Sequence, residues 1–277
     1  MIKLPHNVAF LDIGTNSIRL LIVRIHLNHS VSILTQQKEV VRLGEGEFTD
    51  RTLKPEAMQR AILVCQKFRE MAQSRNADEI IAVATSATRE ASNQKEFLKL
   101  LKEKAHLNVH AISGKEEARL IYLGVASGLN LGDQQVLFID IGGGSTELII
   151  GGQQQYVDME SLHLGAIRLA GTISLPNRNG MVDPKDYDHI REVVKLRIKP
   201  AIKRLKSYKV DMAIGSSGTI INLAEISSRM FNKRPLQPAD LMKADDLITT
   251  IQILCSRDLE ERRLVPGINP ERADIII

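Results

Sequence analysis

The chain has 277 residues, of which 43% are hydrophobic and 25% charged, enough for two ordinary domains with real cores. A net charge of +4 mildly favours an anionic partner, and with only 4% aromatic residues and no Trp base stacking is a poor fit, which argues for recognition of phosphate rather than bases. No apolar run approaches the roughly 20 residues of a membrane span, Met1 to Pro5 lead straight into a strand, and Cys65 and Cys255 have no His or Cys partner at metal-ligand spacing. The expected location is therefore the cytoplasm without membrane contact, and both cysteines read as buried small hydrophobes, with no disulfide framework and no zinc site.

Val8 to Ile13, Ser17 to Ile25 and Val31 to Leu43 read as three antiparallel strands, the first two joined by Gly14-Thr15-Asn16. Pro55 opens an amphipathic helix with Met58, Ile62, Cys65, Phe68 and Met71 at helical spacing, ending near Asn76. A fourth strand, Ile80 to Ala84, runs into Thr85-Ser86-Ala87-Thr88-Arg89, where hydroxyls, helix N–H groups and an Arg suit an anion; a plain helix cap at Ser86 is the alternative. Phe97 to Lys104 continues in helix and Asn108 to Ile112 is a short strand.

The helix Gly114 to Gly128 carries two adjacent glutamates with different prospects. With Ser113 as N-cap, Glu116 completes a capping box and can pair with Arg119. Glu117 shares a stripe with Leu120, Ile121, Gly124 and Val125, expected to face the protein, where partial desolvation would make a carboxylate a better base. A surface Glu at the edge of that stripe is the plainer alternative.

Asn130 to Gln135 is a short polar connection, placing the domain boundary between 1–130 and 131–277. The second half repeats the order of the first: strands Val136 to Ile141, Ser145 to Gly151 and Gln154 to Leu164, then a long helix from Asp183-Pro184 to about Tyr208, bent near Pro200. Met212 to Ile214 is again a fourth strand, and Gly215-Ser216-Ser217-Gly218-Thr219 a second glycine-rich turn into a helix, Ile220 to Met230. Lys195, Arg197, Lys199, Lys203, Arg204, Lys206 and Lys209 make the long helix basic, either as a solvated face or as a guide for a polyanion.

The repetition is visible residue by residue. Asp140-Ile141-Gly142-Gly143-Gly144-Ser145-Thr146-Glu147-Leu148-Ile149-Ile150 lies without a gap on Asp12-Ile13-Gly14-Thr15-Asn16-Ser17-Ile18-Arg19-Leu20-Leu21-Ile22. Each copy is strand, glycine turn, strand. Such a turn exposes N–H groups to a phosphate, and an Asp at the end of its first strand can hold a divalent cation. One copy alone would read as an ordinary tight turn; two in register point to phosphate handling. Arg19 and Glu147 occupy the same place in the two copies, so one turn offers a cation and the other a carboxylate.

Five ordered blocks resemble the exopolyphosphatase and guanosine pentaphosphate phosphohydrolase family of the actin and sugar-kinase superfamily. They are Asp12 to Ser17 with Arg19, Ala84 to Arg89, Ser113 to Leu120, Asp140 to Glu147, and Gly215 to Thr219. The resemblance implies an α/β fold of two duplicated ribonuclease-H-like (actin-like ATPase) lobes, with mixed five-stranded sheets flanking an interlobe cleft. It implies hydrolysis of a terminal phosphoanhydride, with Glu117 as general base, Mg2+ as cofactor, and Asp140 and Glu147 at the metal. The turns make Asp12, Asn16, Ser17, Arg19, Thr85, Ser86, Arg89, Gly142, Gly143, Gly144, Ser145, Gly215, Ser216, Gly218 and Thr219 the expected phosphate contacts.

Inorganic polyphosphate is the expected substrate and guanosine pentaphosphate the alternative. A non-catalytic sensor of guanosine polyphosphates and an ATP-dependent kinase are the other readings, and self-association into a homodimer is left open. Family members continue past Ile277 to complete the second lobe, so Ile275 to Ile277 are expected to be poorly packed.

Overall fold

The computed structural model describes residues 5–173, 180–238 and 240–277. The chain divides into two units, Met1–Gly114 and Lys115–Ile277.

In the first unit β1 (His6–Ile13), β2 (Ser17–Ile25) and β3 (Val31–Val40) form the antiparallel meander. A short helix α1 (Glu47–Asp50) and the long α2 (Pro55–Ser74) lead to β4 (Glu79–Ala84), which pairs in parallel with β1. Then come α3 (Ser86–Glu90), α4 (Gln94–Ala105) and β5 (Val109–Ala111), giving the sheet order β3-β2-β1-β4-β5. Alternation builds the core: Ala9, Leu11 and Ile13 on β1 and Ile18, Leu20 and Ile22 on β2 share one face, against Ala61, Cys65, Phe68 and Ala72 of α2 and Phe97 and Leu101 of α4. Asp12 and Arg19, opposite each other in register, therefore fall on the other face.

The second unit begins with α5 (Gly114–Ser127), then β6 (Val136–Ile141), β7 (Thr146–Gly151) and β8 (Tyr156–Leu162) as the second meander. After α6 (Ala166–Thr172) and α7 (Pro184–Leu205), β9 (Met212–Ser216) pairs in parallel with β6, so the order is β8-β7-β6-β9. The helix α8 (Ser217–Ser227) runs on into a π-helical turn, followed by α9 (Ala244–Cys255), α10 (Leu259–Arg263) and a 3-10 turn at Pro270–Arg272.

The duplication extends beyond the glycine turns. Both meanders shift register at the same point of the repeat, between Ile22 and Val23 on β2 and between Ile150 and Gly151 on β7. Both also open with an aspartate lock. Asp78 accepts from the Asn7 N–H at 2.8 Å while its own N–H donates to the Asn7 carbonyl at 2.8 Å, and Asp211 does the same with Gln135 at 2.9 and 2.8 Å.

Several expectations are corrected. The second sheet has four strands among the described residues instead of five, since α8 leads into a turn and a loop whose Pro235 and Pro238 lack ladder donors. The division falls at Gly114/Lys115 and not at 130/131, because α5 packs with the second sheet. Its Ala118, Tyr122 and Ala126 join Val136, Phe138 and Ile149 in one core, Tyr122 stands edge-on to Phe138, and its hydroxyl donates to the Gly152 carbonyl at 2.8 Å. The buried row of α5 is thus one position on from the expected stripe: Leu120 is 41% exposed and Gly124 lies at the surface. The third strands end at Val40 and Leu162, short of Leu43 and Leu164. Ile276 is buried in a cluster with Ile226, Leu254 and Val265, so the terminal isoleucines are packed, contrary to expectation. Both cysteines are free; Cys65 is buried but Cys255 is only half-buried. Among the described residues no helix is long and apolar enough to cross a membrane.

Candidate active site

The two glycine turns are built alike. Gly14 N–H donates to the Ser17 carbonyl at 3.1 Å, and Gly142 N–H to the Ser145 carbonyl at 3.0 Å. A Cβ on Gly142 would approach the Ser145 carbonyl oxygen to 3.2 Å, which is why the turn tightens there. Among the described residues the N–H groups of Gly143, Gly144 and Ser145 donate to no backbone or side-chain acceptor. Three consecutive donors of this kind can form a nest able to take an anion.

Beside the nest lies a group of carboxylates. Asp140 and Glu147 are opposite each other in the β6–β7 ladder, on the face that also carries Phe138 and Ile149 and is covered by α5. Glu147 is 1% exposed; its Oε1 accepts from Ser161 Oγ at 2.7 Å, and the Ser145 hydroxyl also bonds to it. Burial, then the negative charge of Glu117, then that of Asp140 push the Glu147 carboxyl up to about 8 against the pull of the two serines. Glu117 is half-buried at the edge of α5, so it reaches this group although the helix is rotated from the expected phase. Glu116 does not belong to the group. Arg119 holds it bidentately at 2.8 and 2.7 Å and keeps its carboxyl below the usual range. Asp140 Oδ2 accepts from Ser216 Oγ at 2.6 Å, which brings the second glycine-rich turn to the same carboxylate.

No set of three or more His, Cys, Asp or Glu side chains among the described residues is arranged to hold a metal by itself. That donor chemistry fits magnesium, which is commonly bound by one or two carboxylates, phosphate oxygens and waters. Asp140 and Glu147 are such a pair, and their mutual repulsion is what a divalent cation would relieve.

The rest of the Gly215 to Thr219 turn is used by the protein. A Cβ on Gly215 would overlap the Ile220 side chain, so this glycine answers to strand–helix packing. Gly218 lies against the guanidinium of Arg272, 5% exposed, whose Nη2 donates to Thr219 Oγ1 at 2.9 Å. Ser217, first residue of α8, has φ 70, a left-handed conformation strained for a residue with a Cβ.

In the first unit, Asn16 is 6% exposed and neither atom of its side-chain amide finds a partner among the described residues. Buried amides are normally satisfied, so this one is poised for a ligand or a water. Ser17 is buried beside it, while Arg19 is exposed and free of ion pairs among the described residues. Thr85 to Arg89 lie against this turn: Ala87 N–H donates to Thr15 Oγ1 at 3.3 Å and Thr85 N–H to the Ile13 carbonyl at 3.2 Å. Ser86 Oγ donates to Glu90 at 2.9 Å, and Arg89 Nη1 to the Ile112 carbonyl at 3.0 Å.

The basic helix α7 does not flank the carboxylates. Its Ala201 and Leu205 pack with Leu148 and Ile150, the opposite face of the second sheet. Arg204 is taken by Asp158 and Glu160, both at 2.6 Å, and Lys195 by Glu192 at 2.6 Å. Arg272 and Ser161 were invisible beforehand: one lies 53 residues from its partner Thr219, and the other is an unremarked serine until the ladder sets it opposite Glu147.

A family model described as the Ppx/GppA phosphatase family matches residues 21–277. An exopolyphosphatase from Cytophaga hutchinsonii is 29% identical, with 98% of this chain and 86% of that one covered at a TM-score of 0.90. A Ppx/GppA family member from Aquifex aeolicus is 26% identical, with the same coverage of both chains and a TM-score of 0.75. An exopolyphosphatase-like protein is 29% identical over 98% of this chain and 84% of its own, at a TM-score of 0.87.

Proposed function

Since the chain belongs to the Ppx/GppA phosphatase family, we propose that it hydrolyses the terminal phosphoanhydride bond of inorganic polyphosphate, with magnesium, at the Gly142 to Ser145 turn. The observation that carries this reading is the nest at Gly143, Gly144 and Ser145 beside a carboxylate pair, Asp140 and Glu147, that the fold alone would disfavour. The nest donors take the oxygens of the terminal phosphoryl group and hold it for in-line attack. Asp140 and Glu147 would hold the magnesium ion, which when bound neutralises charge on the transferring phosphate. Glu117 accepts the proton of the attacking water as its oxygen bonds to the terminal phosphorus. The bond from that phosphorus to the bridging oxygen breaks, and the shortened chain leaves with the electron pair. Ser161 and Ser145 keep the Glu147 carboxylate in place.

The similarity to an exopolyphosphatase from Cytophaga hutchinsonii supports a substrate of linked phosphates. The deciding experiment is phosphate release from polyphosphate and from guanosine pentaphosphate across a magnesium titration. Turnover of polyphosphate that requires magnesium is expected. Turnover of guanosine pentaphosphate alone would move the substrate, and transfer of phosphate to an acceptor other than water would overturn the hydrolase reading.

A further inference from the structure

Peptide planarity links the two sides of the glycine turn: whatever holds the carbonyl of one residue also aims the N–H of the next in the opposite direction. In the second unit three successive carbonyls are held. The Gly142 carbonyl accepts from Ala166 N–H at 3.0 Å, and the Gly143 carbonyl from Ile167 and Arg168 N–H at 2.9 and 3.1 Å. The Gly144 carbonyl accepts from Arg168 Nε at 2.6 Å. The N–H groups that these three planes carry are those of Gly143, Gly144 and Ser145, the same three that have no acceptor among the described residues.

The first unit repeats the arrangement with different donors. The Thr15 carbonyl accepts from Gly44 N–H at 3.0 Å, and the Asn16 carbonyl from Val41 and Arg42 N–H at 3.0 and 2.9 Å. In the repeat Thr15 and Asn16 correspond to Gly143 and Gly144, so the same two carbonyls are taken twice. In each unit the donors follow the third strand: Val41, Arg42 and Gly44 come directly after β3, and Ala166, Ile167 and Arg168 come after Leu162-His163-Leu164-Gly165 at the end of β8. Both glycines are set by close approach. A Cβ on Gly44 would overlap Thr15 Cγ2, and one on Gly165 would lie 2.5 Å from the carbonyl carbon and oxygen of Gly143.

We infer that Gly165, the first turn of α6 and the Arg168 guanidinium are positioning elements that orient the three nest amides, and that Val41, Arg42 and Gly44 are their duplicate. They touch no substrate. Their effect is to preset donor directions, so that the nest does not reorganise when phosphate charge arrives. The inference rests on the phosphohydrolase reading for its kinetic consequence but not for its structural one.

The test uses Arg168→Met, which keeps the length of the side chain and removes the donor, Arg168→Lys, which can restore one, and Gly165→Ala. Inorganic phosphate is titrated into the labelled protein while the amide resonances of Gly143, Gly144 and Ser145 are followed, and kcat and KM are measured on tripolyphosphate. In the parent, phosphate should shift those three amides, and the amides of Ala166 to Arg168 should be protected from hydrogen exchange. In Arg168→Met the phosphate-induced shifts should shrink and kcat/KM should fall about 10- to 100-fold, the scale of one lost charge-assisted donor. Arg168→Lys should recover part of both.

If Arg168→Met keeps parental shifts and a kcat/KM within about twofold of the parent, the brace is refuted, whether or not Gly165→Ala folds. If the parent binds phosphate through these amides, loses that response in Arg168→Met, but hydrolyses no phosphoanhydride, the brace stands and the functional reading falls.

Discussion

Replacing Glu147 with Gln should make the metal-free protein more stable at neutral pH while removing its response to magnesium. The carboxyl has an ordinary value of 4.5 and is pushed up to about 8 in the fold, chiefly by burial. Because the folded value is raised, the contribution to stability is fully present below pH 4.5 and is lost as pH rises through 8. Each pH unit in that window costs about 1.4 kcal/mol, so at pH 7 the group opposes folding by roughly 3 kcal/mol. Glutamine keeps the shape and the acceptor for Ser161 and cannot ionise. In the presence of a chelator, Glu147→Gln should therefore match the parent near pH 4.5 and exceed it by roughly 3 kcal/mol at pH 7, a rise in Tm of about 6 to 12 °C for a unit of this size. The assay is thermal and denaturant unfolding of both proteins at pH 4.5, 6, 7 and 8, with and without magnesium. Magnesium should stabilise the parent near neutral pH and leave the variant unmoved, since only an ionised Glu147 rewards the cation. A stability difference that does not change with pH, or a variant less stable than the parent at pH 8, would refute the reasoning.

Glu117→Gln should lower turnover by about 10²- to 10⁴-fold with substrate binding largely kept, the usual loss of a positioned base; an active variant removes Glu117 from the reaction. Glu116→Gln weakens a half-exposed pairing with Arg119 and can still serve a capping box, so its kcat should stay near the parent, and a dead variant would reverse the two assignments. Ser217→Gly relieves a left-handed φ of 70 and should stabilise by about 0.5 to 1 kcal/mol in denaturant unfolding, whereas a loss would show that the strain is repaid by contacts of the serine. Tyr122→Phe removes the bond to the Gly152 carbonyl and should cost about 1 kcal/mol, checked by the same unfolding, with no change in phosphate release.

What could be read from the residues was whatever depends on strong local signals. Alternating apolar residues on Ala9 to Ile13 and Ile18 to Ile22, a Pro at the start of α2 and the repeated Asp-Ile-Gly each act over a few positions, so both meanders and both turns were legible. The phase of α5 was not, because two of its three buried residues are alanines, which carry little hydrophobic signal, while Leu120 and Leu123 are large and exposed. Tyr122 fixes the phase through a hydroxyl bond to Gly152, and no periodicity announces a partner 30 residues away. The boundary went astray for the same reason: α5 was assigned by its neighbours in sequence, and its side chains belong with β6. The residues that brace the turns lie at or just past the expected ends of the third strands, and only the hydrogen bonds of Val41, Arg42 and Gly44 and of Ala166 to Arg168 to the turn carbonyls distinguish a brace from a ladder.

The two units share backbone but not charge, and the proposed site rests on that difference. The same ladder position pairs Asp12 with Arg19 in one unit and Asp140 with Glu147 in the other. An acid opposite a base on antiparallel strands is favourable, and two acids directly opposite are destabilising. Here one of the acids is also 1% exposed and is driven up to about 8. Nothing in the fold requires this, since the first unit makes the same turn, the same register shift and the same aspartate lock without it. A carboxylate kept where the scaffold alone would favour a cation is the arrangement expected if a counterion comes from outside the chain, the role the proposed magnesium ion would fill.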